Sequence, residues 1–167
     1  MQYTLFSTAW GTFGFVAEHD RLLATFLPQD SASIRRVIAE RWHDAVEEPD
    51  ALPKFREQVE SYFEGRRVKF SVKVDVARFT PFQQEVLEAC RRTPYGQTAS
   101  YGDLARAAGN PGAARAVGGT MARNPLPLVI PCHRVVRSDG SIGGFSSPDG
   151  VEEKERLLRL ERCGNCE

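Results

Sequence analysis

Hydrophobic residues in the first 28 positions come in short aromatic and aliphatic runs separated by polar or glycine-containing pairs. Positions 3–7, 14–18 and 22–26 predict three strands, with Trp10-Gly11 and His19-Asp20 as the turns between them. Such a stretch folds as an antiparallel meander. Ser31 or Ser33 is placed to cap a helix running to about Trp42, with Ile34, Val37 and Ile38 as its apolar positions. After the polar loop Glu47-Glu48-Pro49-Asp50, a second helix runs from about Pro53 to Glu64. Phe55, Val59, Tyr62 and Phe63 make its stripe and Gly65 ends it. Phe70, Val72, Val74 and Val76 then alternate with polar or small neighbours, the pattern of a half-buried strand. This half carries no recognisable chemistry, and His19 and His43 read as isolated surface residues.

From Thr80 the period changes. Thr80 and Gln83 make a capping box with Pro81 at the first helical position, and Phe82, Val86, Leu87 and Cys90 share one face, so Cys90 reads as a core thiol. Ser100 and Asp103 make a second capping box, and Gly109 closes that short helix. Asn110-Pro111 opens a third helix. Two short helices joined by a tight glycine turn predict a helix-turn-helix. The apolar, proline-punctuated run 126–131 reads as an extended connector. A final helix from about Val151 to Arg162 turns Val151, Leu157 and Leu158 inward, with Glu161 on the same side. The expected architecture is an α+β N-terminal domain over 1–78, a small antiparallel sheet with helices. A mostly helical, winged helix-turn-helix-like domain over 79–167 follows it.

Bulk composition adds little. The 167 residues are 41% hydrophobic and 26% charged, ordinary for a globular protein. No apolar run approaches a membrane span and no signal sequence opens the chain, so a cytoplasmic protein with no membrane partner is expected. The distribution of charge says more. The formal net charge is zero, yet positions 89–137 hold seven arginines (91, 92, 106, 115, 123, 134 and 137) against one acid, Asp103. That band is the electrostatic footprint of a polyanion partner. Within it, Gly112, Ala113, Ala114, Gly118 and Gly119 strip the third helix of bulk and leave Arg115 as the long side chain of its early turns. A helix so stripped either packs closely on another helix or lies against a DNA groove. Inside a basic band the groove is the better fit.

Candidate chemistry gathers at Ile130-Pro131-Cys132-His133-Arg134-Val135-Val136, where a thiol adjoins an imidazole in a stiff apolar segment. The dipeptide alone better describes a buried cysteine beside a surface histidine, because cysteine is a common core residue and neighbours on an extended chain point apart. Glu161 sharpens the picture. A carboxylate near a helix C-terminus opposes the macrodipole and needs solvent or a cationic partner, for which His133 is the candidate. The remaining pair, Cys163 and Cys166, has no second ligand pair at zinc spacing and reads as tail thiols.

Together these residues resemble the methylated-DNA–protein-cysteine methyltransferases, the O6-alkylguanine-DNA alkyltransferases. The family's Pro-Cys-His-Arg signature stands as Pro131-Cys132-His133-Arg134, followed by Val135-Val136. The match runs without a gap over 101–146. It includes Gly109-Asn110-Pro111, then Ala113-Ala114-Arg115-Ala116-Val117-Gly118-Gly119, then Asn124-Pro125, Pro127 and Ile130. The resemblance implies a single-use repair protein acting on double-stranded DNA that contains alkylated guanine, with O4-alkylthymine a second candidate. It implies that the alkylated nucleotide is flipped out of the stack.

The resemblance also implies a role for each matching residue. Cys132 attacks the alkyl carbon, His133 activates it through a water, and Glu161 orients His133. Tyr101 crowds the flipped nucleotide's phosphate and donates a proton to the leaving guanine. Arg115 is the finger that fills the gap in the stack, and Ala113, Ala114 and Gly118 form the face laid against DNA. Asn124 is the hinge to the active-site strand, and Arg134 is placed with the DNA contacts as a member of the arginine band. The pocket is drawn from the backbone of Cys132 and Val135, from Pro127, and from the loop with Phe145 and Ser146. No cofactor is implied. No N-terminal zinc is expected, since no cysteine precedes Cys90, and a monomer is expected. Two rival readings remain. A non-catalytic helix-turn-helix protein that binds lesions or regulates would leave the Cys132, His133 and Glu161 set idle. A thiol hydrolase using Cys132 and His133 would turn over and would not need Arg115.

Overall fold

The computed structural model describes residues 1–164. The chain divides into two compact units, Met1–Asp75 and Val76–Glu167. In the first, β1 (Gln2–Thr8), β2 (Gly11–Glu18) and β3 (Arg21–Gln29) form the antiparallel meander, with Phe6 opposite Phe13 and Gly14 opposite Phe26. Two short strands extend it in parallel, β4 (Val46–Glu47) beside β1 and β5 (Lys73–Val74) beside β3. Strand β2 is buried on both faces, as a run with helices on each side must be. Phe13 and Phe15 pack on Phe55 of α2 (Pro53–Phe63), with ring centroids at 6.2 and 5.4 Å. On the other face Val16 meets Ile34 and Ile38 of α1 (Ser31–Arg41). Gly14 permits that approach, since a β-carbon there would lie 2.7 Å from Leu5 Cδ2 and 3.0 Å from Ile34 Cγ2.

Two expectations for this unit need correction. The cap of α1 is Asp30, whose carboxylate accepts from Ser33 N at 2.9 Å, and not Ser31 or Ser33. Aspartate caps as well as serine and adds a charge that the helix N-terminus favours. The alternating segment 70–76 forms only the two-residue β5, at a sheet edge. Phe70 leaves the ladder for the aromatic cluster, 5.8 Å from Phe55 and 6.0 Å from Tyr62.

The second unit opens with α3 (Pro81–Arg91) and α4 (Tyr101–Ala107), each started by a complete capping box, at Thr80/Gln83 and Ser100/Asp103. Cys90 is fully buried on the inner face of α3. Gly109 takes φ +82° beyond α4. The next helix, α5 (Ala114–Ala122), starts four residues later than Asn110-Pro111 suggested. Asn110 to Ala113 instead close a turn through Ala113 N to Asn110 O at 3.1 Å, with Pro111 at the second turn position, where its fixed φ is favoured. A two-residue parallel pair joins β6 (Ala99–Ser100) to β7 (Val135–Val136). The last helix, α6 (Gly150–Gly164), packs on the turn that holds Cys132. Its buried stripe is Lys154, Leu157, Leu158 and Glu161 (Glu153 is buried beside it), while Val151, expected inside, is exposed.

Candidate active site

The segment 126–131 is not an extended connector but a succession of tight turns. Asn124 organises it: its Nδ2 donates to Ile130 O at 2.8 Å and its Oδ1 accepts from Leu126 N at 3.0 Å. Ile130 N reaches back to Leu126 O at 2.9 Å, and Leu128 is forced to φ +78°. Pro131, at φ −80° and ψ 68°, is the centre of an inverse γ-turn that closes through Cys132 N to Ile130 O at 2.8 Å. Cys132, His133 and Arg134 follow as one 3-10 turn. Local side-chain bonds from Asn124 therefore override the extended preference of the apolar run.

The turn sends His133 and Arg134 inward. His133 is fully buried, and its Nε2 lies 2.6 Å from Glu161 Oε1. The Arg134 guanidinium grips the same carboxylate with two prongs, Nε to Oε2 and Nη2 to Oε1, each at 2.9 Å. Arg134 Nη1 donates to Thr93 O at 2.7 Å, and Gly96 N donates to Glu161 Oε2 at 3.1 Å. The assignment of Arg134 to DNA is thus corrected: the side chain is buried and committed to Glu161 and Thr93. It is also the cationic partner that the carboxylate at the end of α6 requires, being permanently charged. Burial works to raise the Glu161 pKa, but hydrogen bonds and charge from His133 and Arg134 overcome it and hold the carboxyl at about 2. Burial pushes the His133 imidazole down, towards the neutral form. With Glu161 ionised, the Nε2 proton faces Oε1, and Nδ1 carries the ring's lone pair.

Cys132 is only 8% exposed, and it opens onto a cleft of about 230 Å3. Tyr101, Gly118, Met121, Ala122, Gly144, Phe145 and Ser146 complete the lining. The volume lies below the roughly 300–1,000 Å3 of drug-sized sites and suits one heterocyclic base. Burial pushes the Cys132 thiol up, opposed by a hydrogen bond from Asn124 and the charge of Lys154. Burial also pushes the Tyr101 phenol up, with Cys132 adding to the rise. The β6–β7 pair explains the juxtaposition, because Ser100 opposite Val136 sets the start of α4 beside the nucleophile turn. Gly143 completes that corner with φ +73°; a β-carbon there would sit 3.1 Å from Tyr101 Oη.

Comparison with known proteins identifies the family. Residues 1–76 match the 6-O-methylguanine DNA methyltransferase ribonuclease-like domain, and residues 81–163 match the DNA binding domain of the same proteins. The constitutive methylated-DNA–protein-cysteine methyltransferase of Bacillus subtilis (strain 168) is 37% identical over 161 residues, 96% of this chain and 94% of the relative. The chain belongs to the methylated-DNA–protein-cysteine methyltransferase family. A family member from Methanosarcina acetivorans is 34% identical across 99% of this chain and 100% of its own. Mycobacterium tuberculosis OGT, solved in complex with DNA, superposes with a TM-score of 0.84 at 31% identity, over 98% of this chain and 94% of that one.

The other residues singled out in this methyltransferase-family sequence divide into two groups. Tyr101, Gly118, Phe145 and Ser146 line the cleft with Cys132. Pro127 and Val135 do not: Pro127 lies in the turn organised by Asn124, and Val135 is buried, its carbonyl taken by Lys154 Nζ at 2.6 Å. Arg115 is exposed on the first turn of α5, with Ala113 and Ala114 half-buried before it. A β-carbon at Gly118 or Gly119 would meet nothing within 4 Å, so packing within the chain does not demand those glycines. Cys163 is an exposed thiol, and Cys166 lies outside the described residues. Lys154 and Met121 were missed in the sequence. The signal for Lys154 was present, since 154, 157, 158 and 161 share one helical face, but a lysine on such a stripe is ordinarily discounted. Among the described residues, no helix is long and apolar enough to cross a membrane.

Proposed function

We propose that this protein repairs DNA by direct reversal, moving the alkyl group of O6-alkylguanine irreversibly onto its own Cys132. The observation that carries the reading is the placement of Cys132 at the edge of a base-sized cleft, with the His133–Glu161 contact of 2.6 Å on the same turn. Neutral His133 takes the thiol proton through a water, and the ionised Glu161 stabilises the imidazolium that forms. The sulfur then attacks the alkyl carbon in line. An S–C bond forms, the C–O6 bond breaks, and its electron pair leaves with guanine. Tyr101, kept protonated by its raised pKa, supplies the proton that guanine takes up. The step balances without a cofactor, and nothing in it regenerates the thiol, so each molecule reacts once.

A guanine O6 within a duplex is beyond reach of a sulfur this enclosed, so the nucleotide is extruded into the cleft. In this reading α4 and α5 form a helix-turn-helix. The small residues Ala113, Ala114 and Gly118 lie against the groove, and exposed Arg115 enters the vacated stack. Open space above Gly118 and Gly119 supports that surface role. Few long polar side chains are available for base readout, so binding is weak in sequence preference and carried by phosphate contacts. The protein is read as a cytoplasmic monomer.

Intact mass after mixing with a duplex containing O6-methylguanine tests this. The expected result is a gain of one methyl group per molecule, localised to Cys132 and absent in Cys132→Ala. A duplex that binds without changing the mass would replace the reading with a lesion-binding or regulatory one. Product exceeding protein would replace it with a turning-over hydrolase.

A further inference from the structure

Lys154 has no part in the reaction just described, yet it is fully buried on the second turn of α6. Burial pushes its ammonium down to about 8, so keeping a charge at this position costs stability that an aliphatic side chain on the same stripe would not. What the lysine makes in return is specific. Its Nζ donates to Val135 O at 2.6 Å and to Gly144 O at 3.2 Å. Val135 directly follows the 3-10 turn of Cys132, His133 and Arg134. Gly144 lines the cleft and leads directly into Phe145 and Ser146, which line it too. One ammonium therefore ties the segment carrying the nucleophile to the 144–146 stretch that lines the cleft.

We propose that Lys154 is a positioning residue that holds the wall 144–146 against the Cys132 turn, so that the cleft keeps the shape of the alkylated base. The inference rests on the alkyl-transfer reading and names a determinant of how that site accepts its substrate. Its action is geometric. For the thiol itself, the hydrogen bond from Asn124 outweighs the Lys154 charge. Loss of the lysine therefore impairs the encounter of base and sulfur more than the sulfur's own reactivity.

The experiment compares the parent with Lys154→Met, Lys154→Arg and Lys154→Gln in two reactions on Cys132. One is single-turnover methyl transfer from an O6-methylguanine duplex, at concentrations that separate binding from the first-order step. The other is alkylation by iodoacetamide, which needs the sulfur but no base pocket. In Lys154→Met the first-order transfer step falls about 100-fold, the cost of misplacing reacting groups by an ångström, while iodoacetamide alkylation stays within about threefold. Duplex affinity holds, and Lys154→Arg, which can still donate to both carbonyls, recovers part of the transfer rate. Lys154→Gln gives the same contrast in smaller degree and serves if the Met variant does not fold. Equal losses in both reactions would assign Lys154 to thiol activation and overturn the inference. Parental transfer by Lys154→Met would reduce it to core filling and overturn it too. A parent protein that takes no methyl group at all fails the alkyl-transfer reading itself, and that result is visible before any variant is made.

Discussion

Arg134 and Glu161 form a two-pronged buried ion pair, with both contacts at 2.9 Å. Two apparent anomalies of the chain cancel in it. An arginine of the basic band is withdrawn from the surface, and a carboxylate at the unfavourable end of a helix is neutralised. The remaining oxygen capacity goes to His133 and to Gly96 N, so one carboxylate ties the α3–α4 connection, the nucleophile turn and α6 together.

Removing one partner of such a pair strands the other charge in the interior. Arg134→Met is therefore expected to lose about 3–5 kcal/mol of stability. Its DNA affinity, measured by anisotropy across a salt series, keeps the parental slope. A slope reduced by about one unit, the change expected when one phosphate contact is lost, would return Arg134 to the DNA interface.

Acid should unfold the second unit through the same cluster. The folded Glu161 pKa of about 2 lies below its ordinary 4.5, so its contribution is fully present above 4.5 and is lost as pH falls towards 2. The displacement corresponds to about 3 kcal/mol. His133 acts with the same sign: burial lowers its folded pKa, so below its ordinary 6.5 the unfolded chain binds a proton that the folded one does not. Urea midpoints should therefore decline from neutral pH downward. Glu161→Gln should start less stable and show a flatter decline between pH 4.5 and 2.

Arg115 is exposed, so Arg115→Ala should leave the melting temperature close to the parent's. If it fills the gap left by the extruded nucleotide, transfer from duplex DNA falls at least about tenfold, because a few kcal/mol of unstacking go uncompensated. Transfer from the free alkylated base, which needs no extrusion, is unchanged. Equal losses on both substrates would remove Arg115 from that role.

Gly143 is constrained twice, by its positive φ and by the nearness of Tyr101 Oη. Gly143→Ala is expected to cost about 1–2 kcal/mol from the left-handed backbone alone. It should also displace the phenol and slow methyl transfer from the free base, where no duplex contact intervenes. An unchanged rate would mean that Tyr101 tolerates the shift.

Much of the frame was legible because it is written locally. The meander of β1–β3 follows from short aromatic runs and turn pairs, and the starts of α3 and α4 follow from capping boxes confined to four residues each. The cleft itself was partly legible, in that Cys132, Tyr101, Phe145 and Ser146 were named from the family signature and line it together. What escaped depends on distant partners. Arg134 meets a carboxylate 27 residues away, and residue type alone does not distinguish it from the exposed arginines of the same band. Leucine gives no hint of a positive φ, so the turn at Leu128 was hidden behind an apolar run; the Asn124 side chain that enforces it bonds at both ends of that run. Lys154 obeyed the helical period and was overlooked because lysine seldom lies inside.

The parallel pair of β6 and β7 is two residues long on each side, Ala99 and Ser100 against Val135 and Val136. A main-chain ladder is largely indifferent to the side chains it carries. The spacing between the phenol that opens α4 and the sulfur shortly before β7 is thus inherited in large part from backbone geometry. Over evolutionary time that makes the reactive spacing robust. Ala99, Val135 and Val136 are free to drift among residues that fit their burial, and the two chemical partners stay in step while the strands that flank them change.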